Sequence, residues 1–331
     1  MCLYPRFIKN KAYSKQKYLA IGCTQDERKK YVPIGCGECY ECRRQKAQQW
    51  RVRLVEEMKV NKYAYFITLT FSNEALKELM QETKTDTDTN AVATLAVRRF
   101  LERWRKKNKK SLRHWLITEL GHENTERIHL HGIIFPEKEL TNEELFNIWK
   151  YGRTDTGQYC NVQTINYIVK YVTKIDTDHK NYKPIILCSA GLGKAFTDTY
   201  GAKETYKYRP KQSAEYYTLP NGSKVALPIY YRNKLYNEKE RQELWTDRLD
   251  KGEIYVNGIR IRNINSEKSQ AYYYELLKQQ QEVNKKLGYG STAQEWQKEK
   301  YNITFKMLQK ARCIDTATRS TKSARAKQTE K

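Results

Sequence analysis

Two neighbouring segments constrain the fold of this chain most. "RHWLITEL", residues 113–120, and "RIHLHGIIF", residues 127–135, are dense in β-branched, aromatic and other apolar residues, and the polar "GHENTE" between them reads as a turn. Two such runs in sequence predict an antiparallel hairpin. "YAYFITLTF", residues 63–71, predicts another strand. Around these lie helical patterns. "ECRRQKAQQWRVRLVEEMKV" predicts a helix from Glu41 to Val60, with Ala47, Trp50, Leu54 and Met58 on one stripe and Arg43, Arg44, Arg51 and Arg53 elsewhere. "VATLAVRRFLERWRKKNKK" predicts a strongly basic helix, and "TNEELFNIWK" opens with the Thr141/Glu144 capping-box pattern. The Thr/Asp-rich stretch before residue 90 reads as an exposed loop. Strands alternating with helices around an antiparallel hairpin predict an α+β fold with a mainly antiparallel sheet.

The returning strand carries His129 and His131, two of only five histidines. Side chains at i and i+2 of a strand share a face, so the two imidazoles project side by side while Leu130 and Gly132 face away. Neutral imidazoles so placed are a natural pair of metal ligands. Glu119, on the preceding strand, joins their face only if paired residue numbers across the hairpin sum to an even value, and the turn leaves that register open. With it, two histidines and a carboxylate converge on one open-sided site for a hard cation, Mg²⁺ or Mn²⁺, with room for phosphate oxygens. Glu123 and Glu126, in the turn, are weaker candidates.

The 331 residues carry a formal net charge of +24. Such a charge calls for a polyanionic partner, with nucleic acid first. Twenty-six tyrosines and six tryptophans among the basic residues suit single-stranded nucleic acid, whose exposed bases stack on aromatic planes. The mean hydropathy of −0.89 and the lack of any run of about eighteen apolar residues predict no transmembrane helix. The N-terminus lacks an apolar signal-peptide core, which places the eight cysteines in a reducing cytosol.

"TINYIVKYVTK", residues 164–174, sets Ile165, Ile168, Val169 and Val172 on one apolar stripe, with Tyr167, Tyr171 and Lys174 off it at one-turn intervals. The segment predicts a helix, although its β-branched residues also permit a strand, in which the tyrosines would still share a face. A phenol is a nucleophile once its proton is lost. Beside a metal-held DNA phosphate, its attack yields a phosphotyrosine and a free 3′-hydroxyl, and a second tyrosine allows a second cleavage while the first end stays attached. Lys170 or Lys174 could offset the phosphate charge.

Cys36, Cys39 and Cys42 are spaced C-x2-C-x2-C, enough for three thiolate ligands of Zn²⁺; Cys2 and Cys23 are candidates for the fourth. Lys46 stands where an iron–sulfur run wants its last cysteine. Cys160, Cys188 and Cys313 are isolated. "CSAGLGKAF" imitates a phosphate loop around Gly193 and Lys194, but Cys188 replaces the first glycine and Ala195 the hydroxyl residue, so no ATPase is expected. Further on, "YYTLPNGSKVALPIYY" predicts two short strands about Asn221–Gly222, "IYVNGIRIRN" a second strand-turn, "SEKSQAYYYELLKQQQEVNKKL" a helix, and the tail after Arg312 disorder.

"FITLTF", then "HLH" with "GIIF", then "YIVKYVTK" resemble, in order and spacing, the three motifs of HUH endonucleases. "VPIGCGECYECRRQKAQQWRVRL" and "YYTLPNGSKVALPIYYRNKLY" are similar to flanks of the replication initiators of microviruses, gokushovirus- and alpavirus-like single-stranded DNA phages. The resemblance covers most of residues 1–260. It implies the HUH fold, a central antiparallel sheet bearing the His pair with the tyrosines on an adjacent helix. It also implies nicking of the phage origin through a 5′-phosphotyrosine link, and later strand transfer and ligation. Thr68 and Thr70 of "FITLTF" would then serve the central strand, and Cys2 is favoured as fourth cysteine because the family tends to carry one near the N-terminus. Single-stranded DNA, a host helicase and a host DNA polymerase are the expected partners, in the host bacterial cytoplasm and away from membranes. The expected organisation is a cysteine-rich region at 1–60, an HUH core at 61–180, a β-rich extension at 181–270, and a helical segment with basic tail at 271–331. A plasmid initiator, a mobilisation relaxase and a non-catalytic, zinc-stabilised DNA-binding protein are the alternatives; the last leaves the His and Tyr pairs unemployed.

Overall fold

The computed structural model describes residues 2–16, 26–85, 87–121, 126–176, 179, 182–289 and 296–311. They divide into two compact units, one formed by Met1–Arg43, Tyr208–Ser213 and Asn237–Lys331, the other by Arg44–Lys207 and Ala214–Tyr236. In chain order the elements are β1 (Arg6–Lys9), α1 (Lys11–Gln16), β2 (Tyr31–Ile34), α2 (Tyr40–Val60), β3 (Tyr65–Leu69), α3 (Asn73–Thr83), α4 (Thr89–Asn108), β4 (Arg113–Leu120), β5 (Ile128–Phe135), α5 (Asn142–Trp149), β6 (Thr154–Tyr159), α6 (Val162–Ile168), α7 (Lys170–Thr173) and β7 (Ile186–Cys188). Then follow α8 (Ala195–Asp198), α9 (Tyr200–Thr205), β8 (Tyr216–Thr218), β9 (Lys224–Ala226), α10 (Ile229–Leu235), α11 (Glu238–Lys251), β10 (Ile254–Val256), β11 (Ile259–Ile261) and α12 (Glu267–Lys286).

The larger unit is built on a five-stranded sheet of order β6-β3-β5-β4-β7, antiparallel throughout. The α+β expectation and the hairpin of β4 with β5 are observed. The hairpin's turn at 122–125, with Glu123, lies outside the described residues. Alternation along the strands splits the core into two layers. Ile67, Leu69, Leu116, Leu130 and Ile134 pack against the α3, α4 and α5 side, where Val92, Ala96, Val97, Phe100, Trp149 and Leu145 are buried. Trp115, Ile117, Ile133 and Phe135 face Leu54 and Val55 of α2 and Ile165, Ile168 and Val172 of the Tyr-bearing segment. Gly132 is required where the strands are tightest: a Cβ there would lie 2.3 Å from Leu116 Cδ2 and 2.4 Å from the Trp115 carbonyl oxygen.

"TINYIVKYVTK" is helical but not one helix. α6 and α7 meet at Val169, next to Ile168; β-branched residues hold the α-helical ladder weakly, while Ile165, Ile168, Val169 and Val172 all stay buried across the break. Strand pairs β8–β9 and β10–β11 turn at Asn221–Gly222 and Asn257–Gly258, the glycines at φ +79° and +80°. "LPIYY", read above as strand, instead enters α10 behind Pro228. Short, polar β6, short β7 and α3 carry too weak a periodicity to be read locally, yet all three border the sheet.

In the smaller unit β1 pairs with β2, and the hairpin β10–β11 joins α12 and residues 298–311 in a core of Val256, Ile261, Tyr273, Leu276, Tyr301 and Phe305. Arg28 is clamped between Asp26 and Asp250, each within 2.7 Å. The tail after Arg312 lies outside the described residues. Among the described residues no helix is long and apolar enough to cross a membrane.

Candidate active site and cysteine centre

The register left open by the turn is Glu119 opposite His129 and Ile117 opposite His131, so Glu119 shares the histidine face. Glu119 Oε2 lies 3.2 Å from His129 Nε2 and 3.1 Å from His131 Nε2. The far sides of the rings are engaged too: His129 Nδ1 is 3.3 Å from the Arg127 carbonyl oxygen and His131 Nδ1 is 3.1 Å from Thr68 Oγ1. A carbonyl can only accept, so it holds the His129 proton on Nδ1 and turns the Nε2 lone pair toward the carboxylate. Lone pairs converging on one point need positive charge between them, and the donor set fits a divalent cation. Burial pushes the Glu119 carboxyl up, but hydrogen bonds from His129, His131 and Lys174 outweigh it and hold the group well below the usual carboxylate range.

Tyr171 stacks on His131, ring centroids 4.7 Å apart and planes 22° from parallel. Its hydroxyl is 3.1 Å from that of Tyr167, whose ring meets the edge of Phe66. The Asn161/Thr164 capping box starts α6 and so sets where Tyr167 emerges. Tyr167 is 51% exposed, enough for a large substrate to reach it, whereas Tyr171 is half-buried. Burial, the Tyr167 hydrogen bond and the Glu119 charge push the Tyr171 phenol above its ordinary value. Lys174 Nζ is ion-paired to Glu119 Oε1 and stands 5.9 Å from the Tyr171 ring centre; Lys170 Nζ stands 6.0 Å from that of Tyr167. The structure thus brings together Glu119, His129, His131, Tyr167, Tyr171 and Lys174. It adds Thr68, directly opposite His131, and Phe66, which stacks on the same ring. Their signal was the alternation in "FITLTF", unreadable as a contact without the register. Thr70 lies beyond the strand and donates to the Arg153 carbonyl oxygen. Glu126 is exposed at 74% and approaches His179, not the His pair.

A second cluster joins Cys2, Cys36, Cys39 and Cys42, their sulfurs all within 4.8 Å of one another. The Cys2–Cys39 and Cys36–Cys42 separations are 3.9 and 4.0 Å. A tetrahedron with Zn–S bonds of about 2.3 Å has edges of about 3.8 Å, so four thiolates at these distances fit zinc. Backbone N–H groups of Tyr4 and Cys36 point at Cys2 Sγ, and that of Cys39 at Cys36 Sγ. Hydrogen bonding with Cys2 lowers the Cys36 and Cys39 thiols, Cys39 to about 7. Gly35 is needed beside them, since a Cβ there would come within 2.9 Å of Cys42 Sγ. Cys23 and Cys313 lie outside the described residues, and Cys160 and Cys188 take no part in the cluster.

The glycine loop around Gly193 binds an anion of the chain itself. The Gly193 N–H donates to Glu57 Oε2 at 2.6 Å, and Arg113 pairs with the same carboxylate. An amide so engaged is closed to a nucleotide phosphate, in line with the broken Walker pattern.

Three comparisons with known proteins bear on the site. The family model described as replication-associated protein ORF2 matches residues 64–176, a span holding all six residues gathered around Glu119. The "Replication-associated protein VP4" of Bdellovibrio phage phiMH2K is 26% identical over 239 residues, covering 64% of this chain and 70% of that protein. No solved structure matches. The resemblance to a microvirus replication initiator, read from the motifs, is supported by both of the matches found.

Proposed function

We propose that this chain initiates rolling-circle replication of a small single-stranded DNA phage, as an HUH-type endonuclease and strand transferase acting on the phage origin. The observation that carries the reading is the pair of tyrosine hydroxyls, 3.1 Å apart, one on a ring stacked against His131. A tyrosine oxygen forms a bond to the scissile phosphorus as the bond from phosphorus to the 3′-oxygen breaks. The phenolic proton is given up, and the departing 3′-oxygen gains one, leaving a 3′-hydroxyl primer and a 5′-phosphotyrosine. Because the phosphodiester is exchanged rather than hydrolysed, the reverse attack rejoins strands, and the neighbouring tyrosine performs the second exchange. The ammonium groups of Lys170 and Lys174 offset charge on the phosphate. Arg127 and Thr68 hold the imidazoles in orientation. Mg²⁺ or Mn²⁺ held by Glu119, His129 and His131 would supply Lewis-acid polarisation of the phosphate.

On this reading residues 61–180 are the HUH core, while Cys2, Cys36, Cys39 and Cys42 hold structural Zn²⁺. The net charge of +24 supplies affinity for single-stranded origin DNA. With no ATPase motif, unwinding and extension fall to a host helicase and DNA polymerase in the bacterial cytoplasm. The test is incubation with single-stranded phage-origin DNA and Mn²⁺, followed by denaturing electrophoresis. A DNA–protein adduct that survives denaturation is expected. DNA bound but left intact would overturn the nicking reaction and leave a non-catalytic DNA-binding protein.

A further inference from the structure

Both oxygens of Glu119 are engaged, and by different partners. Oε2 faces the two histidine Nε2 atoms, while Oε1 is ion-paired to Lys174 Nζ. "YIVKYVTK" is also a tandem repeat, Tyr-x-x-Lys twice over, which sets one lysine near each tyrosine ring. The repeats are not equivalent. Lys174 is tied to the carboxylate, and Lys170 makes no ion pair among the described residues.

We infer that the Lys174–Glu119 ion pair is a cation-responsive switch: Lys174 neutralises Glu119 while the site is empty and releases it to bound cation, freeing its ammonium for Tyr171. The inference rests on the reading that Glu119, His129 and His131 hold a divalent cation. An ammonium and a divalent cation on one partly desolvated carboxylate repel each other strongly, so the two compete for Glu119. Lys174 is 46% exposed and Glu119 only 12%, so the lysine is the partner free to leave. The nearest acceptor of its charge is then the Tyr171 ring and the phosphate attached there. Tyr171 would thereby receive its counter-ion only when the cation is present, whereas Tyr167 keeps Lys170 throughout.

The test measures Mn²⁺ affinity of the full-length protein without DNA, by electron paramagnetic resonance of free Mn²⁺. Lys174→Met should bind about tenfold tighter than wild type, the effect of removing one nearby like charge. Lys174→Arg, which keeps the competing charge, should stay near wild type. Lys170→Met, which removes a charge equally close to the tyrosines, should change affinity less than about twofold. Thermal melting checks that each variant is folded, with Lys174→Gln replacing Lys174→Met if the latter is not. Equal or weaker affinity in the folded Lys174 variant overturns the switch while the cation site stands. Absence of Mn²⁺ binding in wild type overturns both.

Discussion

At the scale of single residues, the proposed chemistry turns on oxygen atoms of two phenols. Phenylalanine keeps the ring that stacks on His131 or meets Phe66 and removes only the hydroxyl. Tyr167→Phe and Tyr171→Phe should each still give a first nick, while complete rolling-circle turnover falls sharply and the double variant forms no adduct. Adducts at wild-type rate in the double variant would move the nucleophile elsewhere among the 26 tyrosines. His131→Ala removes a nitrogen 3.1 Å from Glu119 and the platform under Tyr171 together. Cleavage should be lost, yet affinity for single-stranded DNA, measured by anisotropy, should stay within a few-fold, because it comes from distributed positive charge.

At the scale of elements, what positions the site is the closeness of β4 and β5 and the seating of α2. Gly132→Ala would press a methyl group onto Leu116 and the Trp115 carbonyl, and the strands can relieve it only by parting. A loss of about 2–3 kcal/mol is expected in urea unfolding; unchanged stability would show the hairpin to be more compliant than its geometry. Helix α2 carries Glu57, buried and bonded to Arg113, Asn61 and the Gly193 N–H. Burial raises its carboxyl, but Arg113 and the Gly193 amide outweigh that and lower it below the ordinary 4.5. A depressed folded-state value means the contribution is present at neutral pH and is lost as pH falls below about 4.5. Glu57→Gln should therefore cost about 2 kcal/mol at pH 7, discounted for the partly exposed Arg113, and the difference from wild type should shrink in acid.

At the scale of the whole molecule, the four cysteines tie the first residues of the chain to the start of α2 across more than thirty positions. With zinc bound as proposed, purified protein should carry close to one Zn²⁺ per chain by elemental analysis. Chelation should then expose amides around residues 2–9 and 31–42 to hydrogen exchange while the five-stranded sheet keeps its protection. Protein prepared without chelators and free of zinc would remove the zinc assignment and leave the nuclease reading untouched.

What was legible in the sequence is what backbone geometry dictates locally. The two-residue strand repeat places His129 and His131 on one face, the helical repeat does the same for Tyr167 and Tyr171, and C-x2-C-x2-C marks one side of the cysteine cluster. The α+β class followed from the same periodicities. Whether Glu119 joins the histidines depended on a register that the turn does not encode; burial of Ile117, Trp115 and Ile133 on one face selects it. The choice of Cys2, the contact of Thr68 with His131 and the closure of the Gly193 loop by Glu57 link residues 34 to 136 positions apart. Such contacts exist only once the sheet and its covering helices have packed, because the free energy that holds them comes from burial shared by many residues rather than from any short stretch of chain.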